Sequence, residues 1–293
     1  MIQVNLFMMI GVLSYFRTKN SDIIKHIKQV GKIVMIYDIR NPELAIETLI
    51  NLTNVPKDVW INSFRDVKNA GYTQIVEGLI NEYRIKELNC DDIEFIFSHI
   101  TTSNNACESI KKYGLLDLRE SYFLKDSELR KMLDSNGIEI DIENKLLKYK
   151  NNTFDINFEK DCPSSDIVER LAWKIGYKFY FDYNICGFLT LENSAYSGNI
   201  HKRPEILLNI DQLLDLQLSK KWASETIAYE VVTKVRGDLI DDEGSNNSRW
   251  ISYLCKAYDI SFCGQTENII LLKRGVKIPK ENVLEIKKFS KWK

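Results

Sequence analysis

The chain has 293 residues, enough for one large domain or two ordinary ones around a sizeable core. Apolar residues make up 44% and charged residues 28%, without low-complexity tracts, which excludes a disordered or fibrous chain. A total of 40 Lys and Arg against 41 Asp and Glu leaves a net charge of −1, so no global field marks a nucleic-acid binder.

At the N-terminus the apolar stretch Leu6 to Leu13 lacks a basic leader and a small-residue cleavage site, and it is too short to span a bilayer. It reads as a core element of a cytoplasmic protein. Ile23, Ile24, Ile27 and Val30 lie at helical spacing and Gly31 is a natural stop. Residues 33–39 predict a buried strand. "NPELAIETLINLT" predicts a helix with Asn41 as cap and Pro42 at its first position. Further helical periodicity runs through 55–69 and 71–86, so residues 1–90 read as a mainly helical region.

The pattern then changes. "IEFIFSHI" alternates and is aromatic, as a strand should be. Asn105, followed three residues on by Glu108, predicts a capped helix through Lys112 that ends at Gly114. Helices are expected at 126–136, capped by Asp126 or Ser127, and at 164–176, capped by Ser164 or Ser165. Strands are expected at 178–183, 187–192, 205–210 and 229–235, a helix at 249–258, and two final strands within 261–286. Helices first and clustered strands later predict the α+β class.

Common catalytic signatures are absent: there is no phosphate-cradling Gly-rich loop, no His-Glu-x-x-His and no nucleophile elbow. Three histidines, His26, His99 and His201, exclude multi-histidine metal centres. Six cysteines without a Cys-x-x-Cys pair read as free thiols of a reducing compartment. Asp241-Asp242-Glu243 reads as a solvated loop rather than a metal site. Lys273, Arg274 and six further lysines up to Lys293 form a basic strip, either a solvated terminus or a surface for phosphates.

Two features carry chemistry. His99 and Thr101 sit at alternate positions where the aromatic strand ends, so both side chains face one way; the plainer reading is a histidine bonded to backbone. Gln265 and Glu267 share a face at the mouth of the apolar run Ile269–Leu272, where a carboxylate suits a developing positive charge. The plainer reading there is an ion pair with Lys273 or Arg274.

His99-Ile100-Thr101, then Asn105, then Gly114-Leu115 resemble the first nucleotide-binding strand and helix of ADP-ribosyltransferases, closest to the DarT type that modifies DNA bases. "GQTENIILLKRGVKIPKENVLEI" resembles the catalytic strand of that superfamily and the turn after it. The likeness covers roughly 99–115 and 265–286, under a quarter of the chain.

The resemblance implies a cytoplasmic, toxin-like or defence-related transferase with no membrane partner. Its fold would be a mixed, split sheet of about six strands, with residues 91–293 as the ADP-ribosyltransferase-like domain. It would use NAD as substrate and a nucleic acid or protein as acceptor. His99, Thr101 and Asn105 would contact NAD, Glu267 would stabilise the oxocarbenium-like transition state, and Gln265 would orient the acceptor. A tyrosine stacking on nicotinamide is expected on the second strand. Tyr122 is the nearest candidate, while Tyr180 and Tyr183 lie further on. An arginine is also expected, from among Arg119, Arg130, Arg170 and Arg203; Arg203 follows a Ser-Gly-Asn turn from which it would reach the pyrophosphate, the plainer reading being a solvated basic pair beside a turn. The competing expectation is a non-catalytic module of the same fold that binds nucleotide, nucleic acid or a partner.

Overall fold

The computed structural model describes residues 34–66, 71–159, 161–162, 165–191, 199–262, 268–290 and 292; the helix read at 21–31 lies outside them. Ile36–Lys293 forms one compact unit, and the other, Met1–Met35, falls almost wholly outside the described residues.

The first elements follow local rules. Strand β1 (Ile36–Tyr37) leads into helix α1 (Pro42–Thr53), where the Asn41 side chain accepts from the Leu44 amide at 2.9 Å and Pro42 opens the helix. Helices α2 (Lys57–Ser63) and α3 (Tyr72–Tyr83) follow. Their apolar faces are covered by the long helix Asn246–Phe262. Trp60, fully buried, packs on Tyr258 at 5.9 Å, and Phe64 stacks on Phe262 at 5.0 Å. Tyr37 donates to the Tyr253 carbonyl at 2.8 Å. Residues 36–90 are therefore built into the same compact unit as the rear of the chain.

Strand β2 (Glu94–Ser103) is the axis of the sheet. Helices α4 (Glu108–Tyr113), α5 (Leu118–Phe123) and α6 (Glu128–Ser135) come next. A small antiparallel sheet then forms from β3 (Ile138–Asp141), β4 (Leu146–Tyr149) and β5 (Asn152–Asp155). Next come α7 (Ile167–Tyr180), β6 (Cys186–Thr190), α8 (Glu205–Leu214), α9 (Leu218–Glu225) and β7 (Ile227–Arg236). The long helix is α10, and β8 (Asn268–Leu271) and β9 (Val283–Lys288) complete the described chain.

Among the described residues the main sheet has six strands, in the order β8-β6-β2-β7-β9 with β1 added beside β2. β7 runs antiparallel along all of β2, from Glu94↔Arg236 to Ser103↔Ile227. The other edge of β2 is shared, with β1 pairing in parallel at Glu94 and Phe95 and β6 antiparallel at Ser98↔Phe188. The α+β class read from the sequence holds, and the sheet is mixed.

Several local expectations need correction. Residues 178–183 are not a strand: Lys178–Tyr180 end α7, because Phe179 continues the buried stripe Ala172, Ile175 and Gly176 at helical spacing. A side chain at Gly176 would overlap the Ile156 carbonyl, with its Cβ at 1.7 Å from that oxygen, so glycine lets α7 lie directly on the chain. Residues 205–210 open α8, whose Ile206, Leu207 and Ile210 are buried together at the same helical spacing. Asp166 caps α7, accepting from the Val168 and Glu169 amides, in place of Ser165; Ser164 lies outside the described residues. Cys107, at φ 59°, stands at the start of α4 instead of Asn105.

Candidate functional site

Beyond Ser98, β2 keeps β7 on one edge, and on the other its side chains meet the segment that enters β6. His99 Nδ1 lies 2.7 Å from the Cys186 carbonyl oxygen. A carbonyl only accepts, so Nδ1 carries the proton, and burial holds the ring's pKa below its ordinary value. The imidazole is therefore neutral at neutral pH, with Nε2 as its remaining acceptor. The plain backbone role expected of such a histidine is present, and it also fixes the tautomer offered to a ligand.

His99 and Thr101 line one cleft of about 300 Å³. Its other walls come from the end of β2, from Leu115 and Leu118, from Asp182–Ile185 ahead of β6, and from Arg203 and Trp222. Trp222 donates to Thr102 Oγ1 at 2.7 Å and so closes the cleft behind the strand.

The turn from β2 into α4 is organised by Asn105. Its Oδ1 accepts from Ser103 Oγ at 2.9 Å and from the Glu108 amide at 3.2 Å, while Ala106 and Cys107 take positive φ. Asn105 is exposed and lies outside the lining of the His99 cleft, so here it shapes the turn. Gly114 ends α4 at φ 83°, a conformation favouring glycine. Directly after it, the Leu115 amide donates to the Ile278 carbonyl at 2.9 Å and the Ile278 amide returns a bond to Leu115 at 3.0 Å. The far ends of the two sequence features are thus joined by backbone pairing.

Arg203 distinguishes the cleft electrostatically. Its Nη1 is buried without a hydrogen-bond partner, and the guanidinium has no ion pair among the described residues. The acids around it are engaged: Asp117 accepts from the Glu120 amide at 2.8 Å, Asp182 pairs with Lys178 at 2.5 Å, and Glu128 accepts from the Asn104 amide at 2.6 Å. An unpaired, partly desolvated cation in a cavity is costly unless an anion completes it. Of the other arginines, Arg130 pairs with Asp134 at 2.7 Å, Arg119 stacks over Tyr183 at 5.3 Å, and Arg170 is not part of the lining. No protein-family model, curated protein or solved structure matches this chain.

Tyr122 is not placed to stack on a ligand. It sits on helix α5 rather than a strand, is 1% exposed, accepts from the Ile140 amide at 2.8 Å and packs edge-on against Phe179. Tyr180 ends α7 and donates to the Ile142 carbonyl at 2.6 Å. Tyr183 is the tyrosine that lines the cleft. Its signal in the sequence is its place just ahead of β6. Trp222 carries no comparable signal.

Gln265 and Glu267 lie outside the described residues. The strand they precede, β8, is hydrogen-bonded to β6 and not to β2, so one strand separates β8 from the strand that carries His99 and Thr101. Asn268, the first residue of β8, is buried opposite Thr190. Taken together, the cleft offers a neutral imidazole acceptor, a hydroxyl, a guanidinium with no ion pair among the described residues, and an aromatic face. That is a set suited to a ligand carrying hydroxyls, phosphate and a ring.

Proposed function

We propose that the chain is an NAD-dependent ADP-ribosyltransferase that moves ADP-ribose to a nucleic-acid or protein acceptor and releases nicotinamide, in a toxin-like or defence setting. The observation that carries this reading is the Arg203 guanidinium, without an ion pair among the described residues, in the cleft that His99 and Thr101 line. The sequence likeness expects an arginine from among Arg119, Arg130, Arg170 and Arg203, and Arg203 is the one of these four in the lining of the cleft. Its charge meets the pyrophosphate; His99 Nε2 accepts from a ribose hydroxyl; and the Thr101 hydroxyl serves as a second contact on the same face. Tyr183, rather than Tyr122, supplies the ring surface.

On this reading the bond from the ribose anomeric carbon to nicotinamide breaks, the ring gains oxocarbenium character, and the acceptor's lone pair forms the new bond as its proton departs. Glu267 holds the ribose hydroxyl and stabilises that positive charge, and Gln265 orients the acceptor.

A nucleotide-binding module without turnover is the second reading, favoured by the structural bond that His99 already makes to Cys186. Titration calorimetry with NAD tests the shared claim. Arg203→Met is expected to weaken binding at least about tenfold, the scale of one lost charge-assisted hydrogen bond. Unchanged affinity would remove Arg203, and with it the main support, from either reading.

A further inference from the structure

Strand β9 closes one end of the main sheet, and among the described residues its outer edge pairs with no strand. Its register fixes which backbone groups are left over. The Phe289 amide donates to the Ala228 carbonyl at 2.9 Å, and the pairs Lys287↔Glu230 and Glu285↔Val232 continue that register in steps of two. Bonding direction alternates along an antiparallel strand, so Glu285 and Lys287 bond inward to β7, and the N–H and C=O groups of Ile286 and Lys288 point outward. The register shift between Val232 and Thr233 lies ahead of this segment, so residues 285–288 are the regular part of the edge.

A regular exposed edge is a template for another strand, and lysines on it ordinarily deter pairing. Lys287 and Lys288 are such lysines, but Glu285 stands two residues before Lys287 on the same face of the strand. These two side chains lie 3.0 Å apart and are each about half exposed, and Lys287 also reaches Glu230 at 3.5 Å. A second β9 laid antiparallel along the first matches outward groups to outward groups only when the two-fold axis passes through a residue. With the axis at Glu285, that carboxylate faces its own copy; with the axis at Lys287, two ammoniums face each other. Like charges directly opposite oppose pairing. With the axis at Ile286, Glu285 of each copy faces Lys287 of the other, in the closer, non-hydrogen-bonded kind of pair. Ile286 then faces its own copy, a β-branched pair, and exchanges two backbone bonds with it. Leu284, 48% exposed, leaves further apolar surface at this edge.

We propose that β9 is a self-association edge, through which two copies of this chain join their main sheets antiparallel about Ile286. The charge order along the strand selects that register over its neighbours, and the resulting interface is the same patch on both copies. The contact is short, which places the dimer among weak interfaces. It does not depend on the ligand of the His99 cleft.

Sedimentation velocity of the full chain tests it. The wild type is expected to pass from monomer to dimer between about 1 μM and about 1 mM protein. Glu285→Lys and Lys287→Glu, each alone, set like charges opposite each other twice in the dimer and are expected to raise the dissociation constant at least about tenfold. An equimolar mixture of the two variants is expected to dimerise nearly as well as the wild type, because every facing pair between them is again of opposite charge. Glu285→Lys alters a half-exposed side chain and decides the matter alone should Lys287→Glu, which loses its contact with Glu230, fail to fold. A wild type that stays monomeric throughout, Glu285→Lys dimerising as tightly as the wild type, or a mixture of the two folded variants that stays monomeric would overturn the proposal.

Discussion

Tyr122 and Tyr183 have the same chemistry, and their surroundings divide their roles. The Tyr122 hydroxyl is the acceptor for the Ile140 amide inside the core of the small sheet. Tyr122→Phe therefore leaves a buried N–H unpaired and should lower unfolding stability by about 1–3 kcal/mol in a denaturant titration, with NAD affinity unchanged. Tyr183→Ala should show the opposite pattern, weakened NAD binding with little loss of stability. The alternation that put His99 and Thr101 on one face was legible in the sequence, because a strand admits only two faces. The choice of tyrosine was not, because it depends on whether residues 118–123 form a helix or a strand. Arg203 was legible only as a residue after a turn; the missing partner that singles it out is a property of packing.

At the scale of elements, the junction of Gly114-Leu115 with Ile278 is where the two sequence features meet. A Cβ at Gly114 would lie 2.0 Å from the Ile278 carbonyl oxygen and 2.9 Å from the Lys280 amide nitrogen, and φ there is +83°. Gly114→Ala should cost at least about 1–3 kcal/mol through strain, seen as a lower thermal midpoint, and should weaken NAD binding as Leu115 leaves the cleft wall. Gly71, with nothing within 4 Å of its added Cβ, makes a suitable control for alanine substitution.

The aromatic, largely alternating β2 and the apolar run of β7 were readable, as was α1 with its Asn41 cap. The runs at 178–183 and 205–210 were misread because a short apolar run fits strand and helix alike. Helix won because Phe179 and Ile210 extend stripes begun a turn earlier. The hairpin sheet β3–β5 went unread, since its strands are four residues each and mostly exposed on β5.

For the whole molecule, the order of elements along the chain conceals which ones share a core. Helices α1 and α3 come early in the sequence and pack on α10 near its end, and β1 extends the main sheet from a point over fifty residues ahead of β2. Contacts of such long sequence separation leave no local mark in the sequence. A fragment of residues 91–293 would expose Leu254, Ala257 and Tyr258 of α10. It should lose cooperative thermal unfolding, whereas 36–293 should melt in one transition; a cooperative melt of 91–293 would show that the front segment is dispensable. Among the described residues no helix is long and apolar enough to cross a membrane.

On the proposed function the chain breaks the bond between ribose and nicotinamide in NAD, with Glu267 stabilising the charge that develops. Nicotinamide release, followed with DNA, RNA and protein acceptors each supplied in turn, measures this directly. The wild-type chain should release nicotinamide with at least one of them, and Glu267→Ala should slow release by about 10²–10³-fold while NAD affinity stays within a few fold. Equal rates for the two proteins, or no release by the wild type with any acceptor, would contradict the account.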